Sequence, residues 1–307
     1  MNARCVLDAI ARGLLADADG PPAWTLGVGP ARQAANEYKR LIDGSEVVSA
    51  RRTAISGAPV PMTELVPAGT EPWATVLYFH GGGWTVGSPE LLEGSCLLFA
   101  RAAEVRVVSI QYRLAPEHVF PAAVEDCIDA CRWLLDRATD PVVLMGESAG
   151  GNLAAATTAW MTSRGHRAIA AQIVMNPALD PLMESETYTR VGDGFGLTRG
   201  EMAWFWSNYL SQEADRTDPR AAPIRAELAG LPPTYVLTSG FDPLCGEGIE
   251  YVERLRRSGV AVTHDHRCSL PHNVFWTTGA VPEASAAVLA AAGWLSEHRA
   301  ELAARPT

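Results

Sequence analysis

A serine stands at the centre of Gly146-Glu147-Ser148-Ala149-Gly150-Gly151, directly after the apolar run Pro141-Val142-Val143-Leu144-Met145. A serine hydroxyl is a weak nucleophile until a base takes its proton and donors hold the oxyanion that forms when it attacks a carbonyl. A sharp strand-to-helix turn lifts such a hydroxyl clear of a sheet. Glycines two residues before and two residues after give the crossing backbones the room they need. Alone the pattern is weak, because in a Gly- and Ala-rich chain a plain glycine turn before a helix explains it equally well. Three other segments decide between the two readings.

The first is His80-Gly81-Gly82-Gly83-Trp84, which follows the apolar run Val76-Leu77-Tyr78-Phe79. Consecutive glycines let a backbone pass close to a ligand with its N–H groups turned inward. The spacing predicts Gly81 and Gly82 as oxyanion donors, with the N–H of Ala149 at the helix start as the third. His80 is read as holding this loop and not as moving protons. The second segment is Asp242-Pro243-Leu244 after Tyr235-Val236-Leu237, and the third is Pro271-His272-Asn273 beyond the last strand. Each sits where a loop leaves the C-terminal end of a strand. His272 is therefore the expected general base and Asp242 the group that orients it, in the chain order Ser148, Asp242, His272. His264 and His266 alternate along a strand but lack a third ligand of suitable spacing, so no metal is expected. His118, His166 and His298 read as surface or packing residues.

These residues need a scaffold. Short apolar runs alternate with helical patterns, the signature of a mostly parallel sheet wrapped by helices. Strands are predicted over 46–54, 60–65, 75–79, 106–111, 141–145, 171–175, 234–238 and 260–266. The first two are expected to be half exposed and the middle ones covered on both faces. Helices are predicted over 91–103, 122–137, 149–163, 199–210, 248–258 and 282–303. Residues 1 to about 44, and about 182 to 225, do not fit the alternation and are read as one helical cap over the strand ends. Under such a cap Trp84, Phe195, Trp204, Trp206 and Trp276 are the aromatic residues assigned to a substrate pocket, with Phe205 and Tyr209 as further candidates. Aromatics at helical spacing are more often plain core.

Composition narrows the classes. The 307 residues suffice for one large α/β domain, and 48% hydrophobic with 20% charged content is that of an ordinary globular protein. A formal charge of −10 argues against a nucleic-acid partner, because phosphates would be repelled. No apolar run is long enough for a bilayer crossing. The N-terminus reads as an amphipathic helix and not as a secretion signal. Six cysteines without CxxC spacing, with Cys127 and Cys131 on one helix face, suggest buried packing thiols and a cytoplasmic, disulfide-free protein.

The chain resembles the hormone-sensitive lipase family of α/β hydrolases, in its bacterial esterase branch. The resemblance is carried by His80-Gly81-Gly82-Gly83, by Gln111-Tyr112-Arg113-Leu114-Ala115-Pro116-Glu117-His118 with Phe120-Pro121-Ala122-Ala123, and by Gly146-Glu147-Ser148-Ala149-Gly150-Gly151. Asp218-Pro219-Arg220-Ala221, Leu231-Pro232-Pro233-Thr234, Asp242-Pro243-Leu244 and Gly196-Leu197-Thr198-Arg199 running into Trp204-Phe205-Trp206 extend it. It covers the chain from about residue 45 to 300. It implies an α/β-hydrolase fold over 1–307, with a mostly parallel eight-stranded sheet flanked by helices and a helical cap. It also implies hydrolysis of short- to medium-chain carboxylic esters as small-molecule substrates, without a cofactor. A homodimer paired through the last strand occurs among such relatives. The Pro-Glu-His stretch reads as structural, with Arg113 and Glu117 tying loops together. The family usually has an apolar residue before the catalytic histidine and Gly after it, whereas this chain has Pro271 and Asn273. The alternatives are an acyltransferase, thioesterase or lactone-processing enzyme on the same residues, and a ligand-binding protein that has lost catalysis.

Overall fold

The computed structural model describes residues 6–16, 21–42 and 49–304. Residues 46–48 of the first expected strand, and 1–5, 17–20 and 43–44 of the expected cap, lie outside the described residues. Eight strands form one sheet: β1 Ala50–Ala54, β2 Met62–Pro67, β3 Thr75–Phe79, β4 Arg106–Ile110, β5 Val142–Glu147, β6 Ile169–Met175, β7 Thr234–Phe241 and β8 Val262–Pro271. Their order across the sheet is β1-β2-β4-β3-β5-β6-β7-β8. β2 runs antiparallel to β1 and β4, and every other pairing is parallel.

Alternation along the strands divides the core into two layers. Leu77, Phe79, Val108, Leu144, Val174 and Val236 face one way and pack with Cys127, Leu153 and Tyr251. These last three belong to the helices Ala122–Leu135, Ala149–Ser163 and Cys245–Arg257. Val76, Tyr78, Val107, Met145, Ile173 and Leu237 face the other way. They meet Phe99 and Leu295 from the helices Glu93–Ala103 and Pro282–Glu297. The central strands β3, β5 and β6 are buried at every position, as strands covered on both faces must be. β1 departs from the expected alternation. As an outer edge strand, it leaves Arg51 to Ala54 exposed.

Two boundaries matter for the site. β7 and β8 run three and five residues further than the apolar patterns suggested, to Phe241 and Pro271, so Asp242 and His272 directly follow their strands. The last expected helix is in two pieces, Pro282–Glu297 and Arg299–Ala303. Among the described residues no helix is long and apolar enough to cross a membrane.

The N-terminal helices and the 182–225 segment meet each other. Trp24 packs on Trp204 with ring centroids 6.4 Å apart, and a Cβ on Gly196 would lie 3.1 Å from Leu15. Arg32, on the helix Val28–Glu37, fastens the N-terminal segment to the sheet. Its guanidinium donates to the carbonyls of Thr85 and Ala115 and forms a two-bonded pair with Glu117 at 2.7 Å. Arg113 pairs equally closely with Asp126. The Pro-Glu-His stretch is thus a structural tie, as its sequence suggested.

Candidate active site

The turn at Ser148 is built from strain and close approach. Ser148 lies at φ 56°, in the left-handed region that a side chain seldom adopts, between β5 and the helix Ala149–Ser163. A Cβ on Gly146 would collide with the Gly150 carbonyl, and one on Gly150 with the Phe79 carbonyl of the neighbouring strand. No other residue type fits at these two positions. Ala149 opens the helix, so its N–H has no intrahelical acceptor. Gly81 and Gly82 follow β3, and neither N–H finds an acceptor among the described residues. All three predicted oxyanion donors are therefore unspent and lie beside the serine turn.

His80 holds this loop, as expected. Its Nδ1 donates to the Gly81 carbonyl at 2.8 Å, its ring stacks on Tyr112, and the Tyr112 hydroxyl donates to the His80 carbonyl. Burial pushes the imidazole down to about 4, so it stays neutral.

Asp242 and His272 come together. His272 Nδ1 lies 2.8 Å from Asp242 Oδ2, with both side chains buried. This contact commits Nδ1 to the carboxylate and leaves Nε2 as the ring nitrogen that can take up a proton. Burial alone would lower the His272 pKa. The attraction and hydrogen bond of Asp242, with the charges of Glu147 and Glu201, outweigh it and raise the pKa above its ordinary value. Asp242 is itself held: Asn176 Nδ2 donates to Oδ2 at 2.5 Å and the Leu244 N–H donates to Oδ1 at 2.9 Å.

Asn176 was not singled out from the sequence. The signal was available, because it directly follows β6 at the same end of the sheet as Asp242 and His272. Glu147, to which the sequence assigns no role, accepts the Phe275 N–H at 2.8 Å and so ties the serine turn to the histidine loop.

The five aromatic residues assigned to substrate part company. Trp84 and Trp206 are both 0% exposed, pack on each other at 4.2 Å, and Trp84 stacks on Tyr209, so they stand in the core and present no open face. Aromatic area is best hidden when three rings can cover one another, and here they do. Phe195 is half-buried, packs on Phe241, and shares with Leu14, Leu15, Leu41 and His272 a small apolar pocket of about 60 Å³. Trp204 is half-buried between Trp24 and Phe205. Trp276 reaches the reacting centre: a Cβ on Gly81 would lie 3.2 Å from its Nε1 and 3.5 Å from Ser148 Cβ. Phe205 covers the glycine loop, since its ring fills the space a Cβ on Gly83 would need. His264 and His266 bind the Thr238 hydroxyl at 2.9 Å each, and no cluster of three metal-type ligands occurs among the described residues.

Residues 76–276 match the family described as alpha/beta hydrolase fold. The carboxylic ester hydrolase LipN of Mycobacterium tuberculosis is 37% identical over 226 residues, covering 69% of this chain and 60% of the relative. The ethyl acetate hydrolase of Pseudomonas putida is 35% identical over 62% of each chain. The match thus spans less than two thirds of these two relatives. Among solved structures, the ester-hydrolase EH1AB1 from the metagenome of Lake Arreo superimposes with a TM-score of 0.88 at 31% identity, covering 95% of this chain and 99% of that one. With this sheet order, this serine turn and these relatives, the chain belongs to the α/β-hydrolase fold family and, within it, to the hormone-sensitive lipase group.

Proposed function

We propose that the protein is a serine carboxylic-ester hydrolase acting on small-molecule esters of short to medium acyl chain. The observation that carries the reading is the buried 2.8 Å contact between His272 Nδ1 and Asp242, on a loop tied to the strained Ser148 turn. The relatives named for ester hydrolysis support it. His272 Nε2 takes the Ser148 proton as Oγ attacks the ester carbonyl carbon. Asp242 keeps the proton on Nδ1 and stabilises the imidazolium. The carbonyl oxygen, now negative, is held by the N–H groups of Gly81, Gly82 and Ala149. Collapse breaks the bond to the alcohol, which leaves with the proton from His272. Water, deprotonated by the same imidazole, then releases the acid from the acyl-serine. Residues and water carry each of these steps.

In this reading the segments around 1–44 and 182–225 act as one cap. Trp276, Phe195 and Trp204 line the substrate space, while Trp84 and Trp206 support it from the core. β8 is an edge strand, which leaves its outer side open for pairing with a second copy in a homodimer. Cys127 and Cys131 are buried packing thiols, with burial pushing Cys131 up to about 12. Such thiols suit the reducing cytoplasm that we propose as the compartment.

Ser148→Ala should lower kcat for a 4-nitrophenyl ester by about a thousandfold or more, and a fluorophosphonate should label the wild type alone. A near wild-type rate in the variant would overturn the reading. Adding an alcohol or amine acceptor and analysing products separates hydrolysis from acyl transfer.

A further inference from the structure

We propose that Glu201 makes this site select esters by charge, favouring a substrate that carries a cationic group and disfavouring one that carries a carboxylate. The inference rests on the ester-hydrolase reading above and names the substrate class of that same site.

Glu201 is the third residue of the helix Arg199–Tyr209, and its N–H is accepted by the Thr198 side chain at 3.0 Å. The Thr198 cap at the helix start, whose N–H also favours the charged carboxylate, helps hold the residue in place. Phe205 lies four residues on, hence on the same helix face, and its ring covers Gly83 of the oxyanion loop. The face that carries Glu201 therefore looks onto the catalytic loops. The carboxyl is half-buried there, its field reaching His272 on the loop after β8 and Tyr38 from the N-terminal segment. No Arg or Lys pairs with it among the described residues. The other charged groups acting on His272 are Asp242 and Glu147, both acidic.

A substrate carboxylate entering this space meets the Glu201 carboxylate with no Arg or Lys paired to it among the described residues, whereas a substrate cation supplies the missing partner. Partial burial makes the effect larger than between exposed charges. Burial also pushes Glu201 up to about 7, so its charge is present above that pH and fades below it. The plain alternative is that Glu201 only caps its helix. Glu201→Gln separates the two, because Gln fills the same place in a capping box.

The test compares kcat/KM for three 4-nitrophenyl esters of similar acyl length: one neutral, one ending in trimethylammonium and one ending in carboxylate. A second set carries the charge on the alcohol. Moderate salt suppresses the long-range field of the acidic surface. In the wild type at about pH 8 the cationic ester should lead the anionic one by on the order of tenfold, on whichever side faces Glu201. The lead should shrink as pH falls below 7. Glu201→Gln should reduce the lead several-fold and move the acidic limb of the pH profile downward, a change that loss of a cap alone would not produce. Equal rates for the cationic and anionic esters in both sets, or a lead unchanged in Glu201→Gln, overturn the inference while neutral-ester hydrolysis stands. If Glu201→Gln does not fold, the pH dependence of the wild-type lead decides. Failure of the wild type to turn over any ester removes the hydrolase reading and the inference with it.

Discussion

The carboxylate of Glu147 accepts the N–H of Phe275 at 2.8 Å, joining the residue before Ser148 to the loop three residues beyond His272. The Ser95 hydroxyl donates to the carbonyl of the same Phe275 at 2.6 Å, so the peptide groups on both sides of this residue are pinned. The second Glu147 oxygen finds no hydrogen-bond partner among the described residues. Relative placement of Ser148 and His272 thus depends on a carboxyl sealed in the core.

Burial pushes Glu147 up to about 7, which means the folded protein favours its protonated form. For a carboxyl raised above its unfolded value, the stabilising contribution is complete below that unfolded value. It is lost as pH rises through about 7. Glu147→Gln keeps an acceptor for Phe275 and removes the titration. Its melting temperature should match the wild type near pH 5 and exceed it near pH 8. Glu147→Ala strands the Phe275 N–H and should cost about 1–3 kcal/mol at either pH. Melts at the two pH values check both, and a Gln variant no better at pH 8 than at pH 5 would refute the assignment.

The acidic limb of kcat/KM should report His272. Burial works against its charged form, but Asp242, Glu147 and Glu201 together raise its pKa above 6.5. Activity should therefore fall with decreasing pH from a midpoint above that value, as the base takes up a proton. Glu147→Gln removes one of the raising charges and should shift the midpoint downward. A profile flat from about pH 5 to 8 would exclude His272 as the base.

Asn176 shares an acceptor with the base, since its amide and His272 both reach Asp242 Oδ2. A hydrogen bond to a charged group is worth about 1.5–3 kcal/mol, so Asn176→Ala should lower kcat by about ten- to a hundredfold. KM should move much less, because Asn176 is buried behind the acid and away from substrate. Steady-state kinetics decide the point. A fall confined to KM would mean that Asn176 does not orient the triad.

What was legible in the sequence followed from constraints that act locally. The placement of Ser148, Gly81, Gly82, Asp242 and His272 in a turn and in loops at one edge of the sheet is legible because strained turns demand glycine and strand ends open into loops. The strands β3 and β4 were readable as apolar runs, with β3 matching at both ends. The unread part depends on partners distant in sequence. Glu147 acquires its role only when Phe275, 128 residues away, comes beside it. Trp84 and Trp206 were assigned to substrate because their pattern cannot tell a ring that faces a cavity from one covered by Tyr209. The ends of β7 and β8 are read too early because Ser239, Gly240, Arg267 and Ser269 are not apolar, although the ladder between the two strands continues to Phe241 and Pro271.

The departure beside the base has a local explanation that can be tested. Asn273 sits at φ 67°, in the left-handed region, and its carbonyl accepts the Trp276 N–H and the Thr277 hydroxyl, each at 3.0 Å. A turn that reverses directly after the catalytic histidine requires this conformation, and glycine and asparagine are the residues that adopt it most readily. Asn273 thus meets the backbone demand that Gly would meet, and Pro271 is accommodated as the final residue of β8, paired with Phe241. Asn273→Gly should leave kcat within about twofold of wild type, since Gly populates the same region freely. Asn273→Val should cost about 1–2 kcal/mol in stability, and by displacing the imidazole from Asp242 should lower kcat about tenfold. Thermal melts with steady-state kinetics on both variants check this. A Val variant as stable and active as the Gly variant would show that the left-handed turn does not hold His272 in place.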